Sequence, residues 1–164
     1  MPTHGNSIDT GAITGRIRIL AGTTQPKILV VDDDELALTL VCDRLASRGF
    51  EVRRACNGAE ALKLLEQEWF PVILTDWQMP IMSGIELTEK LRAKGITDTF
   101  VIMLTVLDGT FDYAQAYRAG VDDYLTKKMP DIELFARIHA AFSTLALRHS
   151  LSEARTELAK CRSE

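Results

Sequence analysis

No stretch of this chain approaches the ~18 consecutive apolar residues of a membrane span, so no membrane-crossing segment is expected. The N-terminus has no charged region followed by an apolar one, which argues against a secretory leader. Cysteine is scarce. Cys42, Cys56 and Cys161 are odd in number and lack both framework spacing and metal-like clustering, the pattern of free thiols in a reducing compartment. A basic excess is missing too: 19 Lys and Arg stand against 23 Asp and Glu, a net charge of -4 with no electrostatic footprint for nucleic acid. Internal repeats and low-complexity tracts are absent from the sequence. Together these absences predict a cytoplasmic chain with no membrane partner and no direct nucleic-acid partner.

What is present is enough apolar material for a packed core: 46% of the 164 residues are hydrophobic, consistent with one domain plus extensions. Residues 1–25 are rich in Thr, Gly and Ser and are expected to form a disordered N-terminal tail. The competing reading is a short strand at Arg16-Ile17-Arg18-Ile19-Leu20, which alternates briefly. From Lys27 onward strand-like and helix-like runs alternate. Strands are predicted at 27–31, 50–54, 72–75, 100–105 and 123–125. Runs 28–31, 72–74 and 101–104 are continuously apolar, as buried parallel strands are, whereas 50–54 alternates like an edge strand. Asn57 with Glu60 and Ser83 with Glu86 have capping-box spacing, and Leu36, Leu40, Val41 and Leu45 have helical apolar spacing. Five strand–helix units in succession imply a parallel sheet covered on both faces.

Where these strands end is the most informative feature. The first runs into Asp32-Asp33-Asp34, the third into Asp76, the fourth into Thr105, and the fifth is followed by Lys127. In a parallel sheet these ends lie side by side, on the edge where open α/β sheets bind ligands. Three acids, a hydroxyl and an amine would then meet in one cleft suited to a divalent cation and a phosphoryl group. Adjacent carboxylates such as Asp32 and Asp33 repel unless a cation or a raised pKa relieves them. Mg²⁺, a hard cation that prefers oxygen ligands, fits that demand. The simpler alternative is that these acids only cap the next helix, a role assigned here to Asp34.

Five separated elements carry a family resemblance: Asp32-Asp33; Asp76 with Met79-Pro80 and Gly84; Thr105; the segment Ala119-Gly120-Val121-Asp122-Asp123-Tyr124; and Lys127. In this order and spacing, from Lys27 to Leu147, the chain resembles the receiver domain of two-component response regulators. The resemblance implies a flavodoxin-like, doubly wound, five-stranded parallel sheet of order 2-1-3-4-5. It implies a phospho-accepting receiver for a histidine kinase or phosphotransfer protein, not an enzyme acting on foreign substrates. Asp76 would be the phosphoacceptor, with Thr105 and Lys127 as catalytic partners. Asp32, Asp33, Asp76 and the backbone carbonyl of Gln78 would hold Mg²⁺. Thr105 and Tyr124 would form a coupled switch.

Several positions depart from the family pattern. The proline that usually follows the lysine comes late, in Lys127-Lys128-Met129-Pro130, so the loop either carries a costly non-proline cis bond or takes another path. The register of Tyr124-Leu125-Thr126-Lys127 favours Lys127 over Lys128 in the cleft. Val106 replaces a small residue, where it either narrows the approach to the cleft or packs. Gln78 and Leu107 occupy positions that influence acyl phosphate lifetime in the family. Two rivals are an aspartate-based phosphatase of the haloacid dehalogenase type, built on Asp32-x-Asp34, and a pseudo-receiver that never uses phosphate.

The receiver is placed at residues 26–147 and a helical extension at 148–164. In that extension Leu147, Leu151, Ala154, Leu158 and Cys161 are spaced alternately by four and three residues, as in a coiled-coil seam, with Glu157 and Arg162 at flanking positions. The seam spans two heptads and suggests a homodimer through an extended C-terminal helix. A solvated amphipathic tail is the alternative.

Overall fold

The computed structural model describes residues 26–106 and 112–162, and the readings for residues 1–25 and for Leu107 fall outside them. In chain order the elements are β1 (Lys27–Val31), α1 (Glu35–Ala46), β2 (Glu51–Ala55), α2 (Gly58–Gln67), β3 (Val72–Asp76), α3 (Gly84–Ala93), β4 (Phe100–Thr105), α4 (Tyr113–Ala119), β5 (Asp123–Thr126) and α5 (Asp131–Cys161). The strands form one parallel sheet in the expected order β2-β1-β3-β4-β5.

The period of two along the strands sorts side chains onto two faces. Ile28, Val30, Leu74 and Ile102 meet Leu38, Leu45, Leu134 and Ile138, so α1 and α5 cover one face. Leu29, Val31, Ile73 and Val101 meet Ala61, Leu87 and Leu91 on the other. Met103 adds a small cluster with Ile85, Ala116 and Ala119 beneath α4. Because β1, β3 and β4 are covered on both faces, they read as unbroken apolar runs.

Helix starts follow local chemistry. The Asp34 carboxylate accepts from the N–H groups of Leu36 and Ala37 and caps α1. Ser83 and Glu86 form a full capping box at α3. At α2 the box is only half made: Asn57 accepts from the Glu60 N–H, but the Glu60 carboxylate takes the Cys56 N–H instead.

The structure shifts one strand boundary, chooses between the flanks of α1 and decides between the two paths open to the loop after β5. The second strand starts at Glu51 because the Phe50 N–H turns back to the Leu45 carbonyl, while Glu51 opens the sheet pairing to Pro26. The buried stripe of α1 is Leu38, Val41, Cys42 and Leu45. Leu36 and Leu40, which share the helical apolar spacing, are 68% and 56% exposed. Apolar spacing identified the helix but could not choose between two apolar flanks. Finally, none of the described peptide bonds is cis. The loop after β5 takes another path: the Met129 N–H closes a turn on the Thr126 carbonyl, Met129 enters the core, and Pro130 starts α5. No helix among the described residues is long and apolar enough to cross a membrane.

Candidate functional site

β1 and β3 are neighbours, so their carboxyl ends deliver Asp32, Asp33 and Asp76 to one place. One carboxylate oxygen from each lies within 4.8 Å of the others. Asp32 and Asp76 are buried and Asp33 is exposed. β5 lies two strands away, and the turn after it brings Lys127 across. The Lys127 Nζ sits 2.8 Å from both Asp32 Oδ2 and Asp76 Oδ2. Its backbone N–H also donates to the Thr105 carbonyl at 2.9 Å, which ties the lysine to the end of β4. Lys128 is exposed.

The remaining carboxylate oxygens have fixed partners. Asp32 Oδ1 accepts the Asp34 N–H at 2.9 Å, and Asp76 Oδ1 accepts the Trp77 N–H at 2.7 Å. Burial pushes the Asp76 carboxyl above its usual range, and the Asp32 charge pushes the same way; the Lys127 ammonium opposes both without prevailing. For Lys127, burial works against the charge, but hydrogen bonds to Asp32 and Asp76 outweigh it and hold the ammonium above its usual range.

With all four groups ionised, three carboxylates and one ammonium leave two negative charges in a small, partly dry space. The donors are all oxygens, and exposed Asp33 leaves a side open to solvent. This set fits a small hard dication.

The switch residues are arranged differently. Thr105 is buried at the end of β4, and its hydroxyl donates to the Val106 carbonyl at 3.1 Å rather than to a site carboxylate. Tyr124 is 47% exposed, its ring edge-on to Tyr113 with centroids 4.9 Å apart. Val106 is exposed, so it does not pack in the core. Gln78 lies exposed in the loop two residues past Asp76.

That loop is tightly held. The Gly84 N–H returns to the Trp77 carbonyl at 3.0 Å, and the Met82 N–H to the Pro80 carbonyl at 2.8 Å around Ile81, which has φ +71°. Such a tight γ-like turn is unusual for a β-branched residue. A Cβ on Gly84 would collide with the Asp76 carbonyl oxygen and press on Met103 and Thr75 at 3.0 Å. Two supports could not be read from the sequence. Tyr113 meets Tyr124 from another element, and Arg92 binds Asp122 together with the carbonyls of Ile96, Thr99 and Gly120. The motif glycine was the only signal for the first loop; nothing local marks Arg92.

A doubly wound parallel sheet with three carboxylates and a lysine gathered at its carboxyl edge defines the class of domain, and comparison with known proteins gives the family. Residues 28–139 match the response regulator receiver domain, and this chain belongs to that family as a receiver domain of two-component signal transduction. It is similar to the alkaline phosphatase synthesis transcriptional regulatory protein PhoP of Bacillus subtilis, 40% identical over 114 residues, covering 70% of this chain and 47% of that protein. It is 34% identical to the phosphate regulon transcriptional regulatory protein PhoB of Rhizobium meliloti, covering 83% of this chain and 58% of that one. The chain thus spans about half the length of these curated relatives. Among solved structures, the receiver domain of the Francisella response regulator 1452 superposes with TM-score 0.67 at 36% identity, covering 73% of this chain and 98% of that one. A CheY-like receiver domain protein from Methanospirillum hungatei gives 0.70 at 30%, covering 76% and 99%.

Proposed function

We propose that Asp76 is the phosphoacceptor of this receiver and that a histidine kinase or phosphotransfer protein supplies the phosphoryl group. The observation that carries this reading is the Lys127 ammonium bridging Asp32 and Asp76 at the sheet edge. An Asp76 carboxylate oxygen attacks phosphorus in line; the P–N bond of the donor phosphohistidine breaks, and the imidazole departs with that electron pair. Lys127 holds a fixed positive charge where the phosphoryl oxygens arrive. Thr105, one strand over, rotates its hydroxyl from the Val106 carbonyl toward a phosphoryl oxygen. Tyr124 then changes its packing against Tyr113 and alters the outer face.

Asp32, Asp33 and Asp76, with the Gln78 carbonyl, are the residues that would hold Mg²⁺. When bound, the cation supplies charge neutralisation for the incoming phosphoryl oxygens. The chain acts only on its own acyl phosphate, forming and hydrolysing it, and does not turn over foreign phosphate monoesters. A second copy of this chain, met through the C-terminal helix, is a further partner.

The test is intact mass after incubation with acetyl phosphate and Mg²⁺. One phosphoryl group is expected on the wild type and none on Asp76→Asn, whose circular dichroism stays native. Undiminished labelling of the variant would place the acceptor elsewhere. Absence of labelling on the wild type, with no Mg²⁺ binding, would favour a pseudo-receiver.

A further inference from the structure

Helix α5 changes the side on which it is apolar. Its first half turns Leu134, Phe135, Ile138, Ala141, Phe142 and Leu145 into the core, and His149 is the last buried residue of that stripe. From Leu147 a second stripe begins, with Leu147, Leu151 and Leu158 exposed at 72%, 54% and 67%. At 3.6 residues per turn, Leu147 lies about 200° around the helix from Leu145, and Leu151 about 200° from His149. Ala154 and Cys161 continue this outer stripe and are exposed. The helix therefore carries two apolar stripes on opposite sides, one covered by its own receiver and one uncovered.

We propose that the outer stripe pairs with the same stripe of a second copy in a parallel, in-register two-helix coil, with the receivers on the outside. The flanking charges choose the partner and its direction. Arg148, Arg155 and Arg162 each follow the seam residues Leu147, Ala154 and Cys161, and Glu157 precedes Leu158. In a parallel pair the residue before one seam position meets the residue five places further along the partner, so Glu157 meets Arg162 of the second chain. In an antiparallel pair the three arginine positions of each helix face those of the other, and like charges oppose assembly. Two heptads are too short to form a coil from disordered chains. Here the helix is preformed, because its first half is fixed in the receiver core and by the ion pair of Arg148 with Asp122 at 2.8 Å. Pairing therefore avoids the cost of nucleating helix, and the opposite placement of the stripes keeps the two receivers from colliding.

Sedimentation across a concentration series, with and without beryllofluoride and Mg²⁺, tests the pairing. The wild type should dimerise in at least one state. Leu151→Asp with Leu158→Asp should be monomeric in both, while acetyl phosphate labelling persists as proof of a folded receiver. Glu157→Arg should lose dimer, and adding Arg162→Glu to the same chain should restore it. Mild oxidation of the native chain should join Cys161 to Cys161, because a parallel register places them face to face. An antiparallel register would separate them by roughly 20 Å at 1.5 Å per residue. A wild type that is monomeric throughout, a dimer that survives the double aspartate variant, or a dimer that resists Cys161 cross-linking overturns the proposal.

Discussion

At the residue scale, the site is a problem of charge crowding solved by one lysine. Asp32 and Asp76 share Lys127 at equal distances, and Asp33 remains in water with no equivalent bond in the described structure. Asp33 is therefore the carboxylate freest to complete a cation site, and Trp77 is well placed to report it. Its backbone N–H binds Asp76, and its indole packs on the cluster of Ile85, Met103 and Ala116. Mg²⁺ titration should change Trp77 emission in a saturable way, and Asp33→Ala should abolish that change. Matching titrations in both proteins would assign the response to cation binding elsewhere. The carboxylates were legible in the sequence because each interrupts an apolar strand. The packing of Tyr124 against Tyr113 was not, because Tyr113 belongs to another element.

At the scale of elements, the loop between β3 and α3 shows how closely backbone supports chemistry. Gly84 begins α3 against the carbonyl of Asp76 itself. Helix propensity alone would make Gly84→Ala stabilising by up to about 1 kcal/mol. The collision reverses the sign: overpacking of this kind costs about 1–3 kcal/mol and displaces Asp76. Urea denaturation should show the variant less stable, and acetyl phosphate labelling should be slower. A variant as stable as the wild type and labelled as fast would mean that the loop absorbs the methyl group without moving the acid. The two flanks of α1 carry a similar lesson. Leu36 and Leu40 are as apolar as Leu38 and Leu45, and only the position of the sheet decides which pair is buried.

For the whole molecule, stability should be concentrated in the sheet and the first half of α5. Beyond His149 no residue of α5 is buried. A chain ending after Ser150 should keep its melting temperature to within about 3 °C of the dilute full-length protein, the shift expected for roughly 1 kcal/mol at this size. The melting temperature of the full-length protein should rise with concentration as dimers form, and that of the shortened chain should not. Differential scanning calorimetry over a concentration range checks both. A large loss on shortening would show that the outer half of α5 contributes to the receiver core after all.

The layered α/β class, the places of the five strands and the residue types at their ends were all legible in the sequence. These depend on local signals: unbroken apolar runs for doubly covered strands, capping residues for helices, and acids or a lysine where each run stops. Family resemblance added the strand order, and it is the source of the roles proposed for the site residues. The lysine that meets Asp32 and Asp76 is Lys127, the one the local register favours. The tertiary structure alone decided which flank of α1 faces the sheet and how the chain passes Lys128 and Met129 without a cis bond. It also showed that the two apolar stripes of α5 lie on opposite sides, with only one covered. Each of these outcomes is set by which surfaces are already occupied by distant parts of the chain, and local composition carries no record of that.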